Sequence, residues 1–157
     1  MMNFSTMRSL VKGILEQAMD PPDEATNTRW SIQGFGMLRV HLPGDYRLNV
    51  WDSRFRVPDV SLIHDHPWHF DSTVVSGRLV NRRFWCYAAT ANVKGEMMEW
   101  AKLKPGPGGG LLGNIDERGG VAKLCAQPPE VFSQGQMYHQ RRDEVHRSDP
   151  EDGCVTF

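Results

Sequence analysis

After residue 34 the chain consists of short runs of alternating apolar and polar residues, cut at close intervals by turn-forming residues. Alternation at period two puts every second side chain on one face of an extended segment. The runs fall at 35–42, 46–51, 60–66, 70–76, 78–88, 96–103, 121–126, 130–138, 141–147 and 154–157. Pro43-Gly44-Asp45 forms a turn between the first two, and Gly77 divides the fourth from the fifth. Many short strands with no helix between them lead to an antiparallel sandwich or barrel.

One helix precedes this region. Leu10, Val11, Ile14, Leu15, Ala18 and Met19 fall on one stripe at helical spacing, with Ser5 as cap and Asp20-Pro21-Pro22 as stop. The helical segment therefore occupies 5–20, and a polar loop, 23–28, leads on from it. At 157 residues the chain makes one domain, large enough to bury a core without disulfide or metal staples. A formal charge of −1 supplies no field for nucleic acid or an anionic membrane. Three widely spaced cysteines, Cys86, Cys125 and Cys154, argue against a secreted disulfide framework. The first twenty residues are too polar for a signal peptide or a membrane span, so a soluble cytoplasmic protein is expected. A glycine-rich stretch, 104–120, reads as a long connection: no Gly-Lys-Ser/Thr closes it as a phosphate loop requires.

The histidines are unevenly placed. Three of the six, His64, His66 and His69, lie within six positions, and Asp71 follows. Two histidines two apart on a strand point to the same side and can reach one ion. A third imidazole must come from a distant segment. His146, in the strand-like run Glu144-Val145-His146-Arg147, is the better candidate, and His139 the second. Asp71 offers a fourth, oxygen ligand. Imidazole suits divalent iron, zinc, nickel and manganese. His41 and His69 are expected at the surface or in aromatic packing. Trp68, Phe70, Phe84, Trp85 and Trp100 are expected on a core face, with Cys86 as a small buried hydrophobe among them.

The run His64-x-His66-(x)4-Asp71-(x)5-Gly77 resembles the first motif of the cupin superfamily, with Asp71 where that motif carries Glu. His146 matches the single histidine of the second cupin motif. Its surroundings depart from that motif, which has Pro and Gly where Arg141 and Asp143 stand. The resemblance covers roughly 35–157. It implies an antiparallel double-stranded β-helix, the cupin jelly-roll barrel, with the N-terminal α-helix outside it. His64-Asp65-His66 and Asp143-Glu144-Val145-His146-Arg147 also look like the thiol dioxygenase branch, which oxidises a small thiol to a sulfinate at a ferrous ion held by three histidines. The resemblance therefore implies a metal set of His64, His66 and His146, with Asp71 beside it. It further implies ferrous iron as cofactor, a non-haem dioxygenase acting on a small molecule, and a homodimer. Arg83, Tyr87 and Tyr138 stand where they can hold a substrate carboxylate or place a proton. Two other readings suit the same residues: a ligand-binding cupin without activity, and a metal-independent isomerase or epimerase with a histidine as base.

Overall fold

The computed structural model describes residues 3–19, 30–58, 61–103 and 115–157. The molecule is mainly β, with two antiparallel sheets and one N-terminal helix, an arrangement consistent with a β-sandwich. The helix, α1, runs Phe4–Met19. Eleven strands follow among the described residues: β1 (Trp30–Gln33), β2 (Phe35–His41), β3 (Arg47–Arg56), β4 (Phe70–Ser76), β5 (Arg78–Ala88), β6 (Glu96–Leu103), β7 (Ile115–Ala126), β8 (Glu130–Ser133), β9 (Met137–Gln140), β10 (His146–Pro150) and β11 (Val155–Thr156). One sheet has the order β1-β2-β3-β11-β4-β9, and the other β10-β5-β7-β6, with β8 also on β5.

The first sheet separates two environments. On one face Val40 and Leu48, direct partners across β2 and β3, join Val75, Val155 and Phe157 against Val11 of α1. On the other face Met37 and Trp51, also direct partners, join Val74, Leu79, Tyr138 and Cys154. Successive residues of a strand feed alternate faces, so Val74 and Val75 enter different clusters. Apolar burial on both faces holds the sheet between the helix and the second sheet.

Gly77 has a φ of +80°, and a Cβ there would lie 3.0 Å from the Cα of Cys154. Both facts favour glycine at the corner where β4 turns into β5 and passes from one sheet to the other.

Several local expectations are corrected. Asn3, not Ser5, caps α1: its Oδ1 accepts from the N–H of Thr6 at 2.9 Å. Leu10 is exposed and Met7 packs on the core instead, which turns the helix's buried stripe by about one position. The expected strand at 60–66 forms only a single bridge at His64. Asp65-His66-Pro67 cannot extend it, since proline brings no N–H to a ladder. Segment 141–145 is a turn and the strand begins only at His146, one residue before the end of the expected run 141–147. Asp143, at a φ of 58°, breaks the strand geometry there. The run 130–138 is two strands, split by Gly135 at φ +85°. β1 had no counterpart among the expected strands.

Trp68, Trp85 and Trp100 are exposed, as is Cys86, against the expectation of a core face. Alternation gives a strand two faces but does not say that either is covered. Gly119 and Gly120 belong to β7, not to a connection. A Cβ on Gly119 would lie 2.1 Å from the ring of Trp100, so the indole lies against bare backbone. The helix stop at 20–22, the loop at 23–28 and the glycine-rich segment 104–114 lie outside the described residues.

Candidate metal centre

His64 and His146 are joined by backbone before their side chains meet. The N–H of His64 donates to the carbonyl of His146 at 2.9 Å, and the N–H of His146 donates to that of His64 at 2.8 Å. Directly opposed residues of an antiparallel pair present their side chains to the same face. β10 thus lies between this bridge on one side and β5 on the other, where His146 pairs with Arg83. The turn at 141–145 returns to the first segment: the N–H of Asp143 donates to the carbonyl of His66 at 2.8 Å. Two sets of backbone bonds therefore fasten residues 64–66 to 143–146, although the two segments are some eighty residues apart.

One ligand atom from each of His64, His66 and His146 lies within 4.8 Å of the others. The Nε2 atoms of His66 and His146 are 3.2 Å apart. Two nitrogens bound at about 2.1 Å to one ion, roughly at right angles, lie about 3 Å apart, so the spacing suits a shared metal. Among the described residues this is the one group of three or more metal-ligating side chains so arranged. His139, the other candidate for the third imidazole, is not part of it.

The protonation of the rings follows from their partners. Nδ1 of His64 lies 3.1 Å from the carbonyl oxygen of Leu62. A carbonyl only accepts, so Nδ1 carries the proton and Nε2 keeps its lone pair. His146 is fixed by a longer relay. Nε2 of Gln140 donates to the main-chain carbonyl of Glu144 at 3.1 Å and to its carboxylate at 3.0 Å. The other end of that amide, Oε1, accepts from Nδ2 of Asn81 at 3.3 Å. Oδ1 of Asn81 therefore faces Nδ1 of His146, at 3.0 Å, and accepts its proton. The lone pair on Nε2 of His146 is left for the centre. Asn81 and Gln140 are fully buried, where an amide of the wrong orientation would leave a polar atom without a partner.

Burial keeps these rings neutral. Desolvation pushes His64 down, His66 to about 3 and His146 to about 2, with the neighbouring imidazoles as the next cause for the last two. Neutral imidazole is the form that binds a metal. Aromatic rings hold the geometry. Phe35 stacks on His64 with centroids 4.6 Å apart, and Phe70 meets His66 edge-on at 5.0 Å. The histidines thus fit a divalent ion in number, spacing and charge, and His64 and His146 also in tautomer.

The centre opens into a cavity of about 840 Å³ whose walls include Met37, Trp51, Trp68, Phe70 and Tyr138. Tyr138 is buried, which raises its pKa, while the neighbouring side chains of Ser72 and Ser148 oppose the rise.

The remaining candidates lie elsewhere. Asp71 is not in the group: its Oδ1 is 2.8 Å from Nδ1 of His139, its direct partner across β4 and β9. Nδ1 of His69 accepts from the N–H of Arg142 at 3.2 Å, and His69 stacks on His139 with centroids 5.9 Å apart. Arg83 is not among the cavity walls: its Nε lies 3.2 Å from Glu130 and 3.6 Å from Glu144 without a hydrogen bond, and a terminal nitrogen donates to the carbonyl of His139 at 2.7 Å. Tyr87 is exposed on β5 opposite Lys123, away from the cavity walls.

Sequence reasoning missed Asn81, Gln140 and Arg39, a further cavity residue. All three carried a signal. Asn81 alternates with the core residue Leu79, Gln140 with Tyr138, and Arg39 with Met37, so each is a polar residue at an inward position. No family model, curated protein or solved structure matches this chain.

Proposed function

We propose that the chain is a mononuclear metal protein of the cupin type, and that it acts as a non-haem iron dioxygenase-type oxidoreductase on a small molecule. The observation that carries this reading is the meeting of three neutral imidazoles, from segments far apart in sequence, at the wall of a cavity large enough for a small substrate. A ferrous ion there would supply a redox-active Lewis acid with open positions beside its three nitrogens. Zinc, nickel and manganese suit the same ligands.

The chain's own residues supply the rest. Leu62 and Asn81 fix which nitrogen of His64 and His146 is free, so these two rings need no tautomer change to take up an ion. Phe35, Trp51, Trp68 and Phe70 limit water around the reacting groups, which strengthens every electrostatic interaction there. The buried hydroxyl of Tyr138 can hand a proton toward Ser72 or Ser148, or hold a polar group of substrate. A jelly-roll topology and a homodimer belong to the same reading.

Purified protein is tested for metal content, then for oxygen uptake with ferrous iron and a panel of small thiols and acids. Uptake that needs iron and is lost in His64→Ala is the expected result. Substrate conversion that consumes no oxygen and survives a chelator would transfer the protein to the isomerase reading, and tight ligand binding without turnover to the binding-module reading.

A further inference from the structure

One face of the β2–β3 pair carries more positive charge than its surroundings answer. Arg39 stands opposite Asn49 in the register, and Arg47 lies two residues from Asn49 on the same strand. Arg39 and Arg47 are therefore diagonal neighbours on one face, at a separation that long side chains bridge. It is the cavity face: Met37, Arg39, Arg47, Asn49 and Trp51 all line the space in front of the histidines. Nε of Arg39 donates to Oδ1 of Asn49 at 2.9 Å and a terminal nitrogen approaches Sδ of Met37 at 4.0 Å, so both of its contacts are neutral residues of the cavity wall. Arg47 sits 4.8 Å above the ring of Trp68, so a cation–π contact holds it across the same opening.

Neither guanidinium has an ionic partner within 4.0 Å among the described residues: no ion pair formed there includes Arg39 or Arg47. Two other carboxylates line the cavity. Asp45 acts on Arg47 from a distance, and Asp71 is taken by His139. Two like charges side by side, one of them largely desolvated, are costly unless an anion joins them. With three neutral histidines, a divalent ion would add two further positive charges to the same space. Much of the remaining wall is aromatic or thioether, joined by the hydroxyls of Ser72, Thr73, Tyr138 and Ser148. A guanidinium fork matches the two coplanar oxygens of a carboxylate.

We propose that Arg39 and Arg47 form an anion subsite facing the three-histidine centre, and that the substrate class is a small carboxylate with an apolar body. This rests on reading the cavity as the substrate site, but the subsite itself does not require the metal.

The test uses the full chain, metal-free and zinc-loaded, titrated with benzoate and its neutral analogue benzamide. The fluorescence of Trp51 and Trp68, both in the cavity wall, reports binding. Benzoate is expected to bind at least tenfold more tightly than benzamide in both forms. Arg39→Gln and Arg47→Gln are each expected to weaken benzoate tenfold or more while leaving benzamide and zinc content unchanged. Arg39→Lys, which keeps the charge but not the fork, recovers part of the loss, and it carries the test should Arg39→Gln fail to fold. Equal binding of the two probes, no response from the wild-type protein, or benzoate binding indifferent to both arginines would overturn the subsite. Inorganic phosphate displacing benzoate at lower concentration than benzoate itself needs would overturn the carboxylate assignment. Loss of zinc in His64→Ala with benzoate binding intact separates this subsite from the metal reading. Failure of the wild-type protein to take zinc would sink that reading and leave this one standing.

Discussion

Two histidine clusters lie close together, and only one is built to hold a metal. His64, His66 and His146 are drawn together inward, and His64 and His146 are fixed in tautomer by carbonyl and amide partners. His69 and His139 are exposed and stacked on each other, with Asp71 against His139 and both partners of that pair about half exposed. The residue types are the same. The difference lies in position along β4 and β9: Phe70 and Tyr138 pack toward the inner site, while Asp71 and His139, one position on, pair with each other, although Asp71 also borders the cavity. A carboxylate next to a histidine makes a surface ion pair of small worth. Three neutral imidazoles facing one another leave lone pairs that an ion can join.

Substitution should separate the clusters most sharply. His146→Ala is expected to lower metal affinity by at least a hundredfold in a chelator competition, and His64→Ala likewise, whereas His139→Ala changes it less than twofold. Equal losses from the inner and outer variants would erase the distinction.

Acid sharpens it next. The folded-state pKa values of His66 and His146 lie below the ordinary 6.5, so the unfolded chain takes up protons that the folded metal-free protein refuses. Their contribution to stability is fully present above about pH 6.5 and is lost as the pH falls toward 3. Between pH 7 and 4.5 the loss is on the order of 3 kcal/mol, with allowance for water reaching the half-buried His66 ring. Urea midpoints across that range should fall for the wild-type protein and fall less for His146→Gln. A flat profile would contradict the neutral inner cluster.

The relay to His146 gives a smaller effect with a specific signature. Asn81→Leu removes the acceptor for Nδ1–H and is expected to weaken metal binding about ten- to a hundredfold, as losses of such orienting partners do. Nitrogen-15 correlation spectra of the metal-free protein should show His146 as the Nδ1–H tautomer in the wild type and a mixture in the variant. An Nε2–H form in the wild type would break the relay. Smallest of all, Asp71→Asn removes an exposed pair, with a stability change within about 0.5 kcal/mol by thermal unfolding and no change in metal content.

The sequence showed that this site existed better than it showed how it is held. Period-two alternation disclosed the β class because pairing requires it, and the closely spaced His64 and His66 marked the centre because both rings leave one short segment. His146 could be preferred to His139 from local pattern alone. The register of β4 on β9 was not legible, so Asp71 looked available when it is committed to His139. Nor was it evident that residues 61–66 lack a full ladder, because the hydrogen bonds that hold them come from His146 and from Asp143 in the turn before it. Exposure of Trp85 and Trp100 was hidden for the same reason: which face of a strand is covered depends on what packs there, and that partner is remote in the chain.

Anomalous diffraction at the zinc edge, on protein loaded with one equivalent of zinc, tests the central claim most directly. The account predicts a single peak about 2.0–2.2 Å from Nε2 of His64, His66 and His146 alike. A peak between His139 and Asp71, or an ion touching only one of the three inner rings, would contradict it.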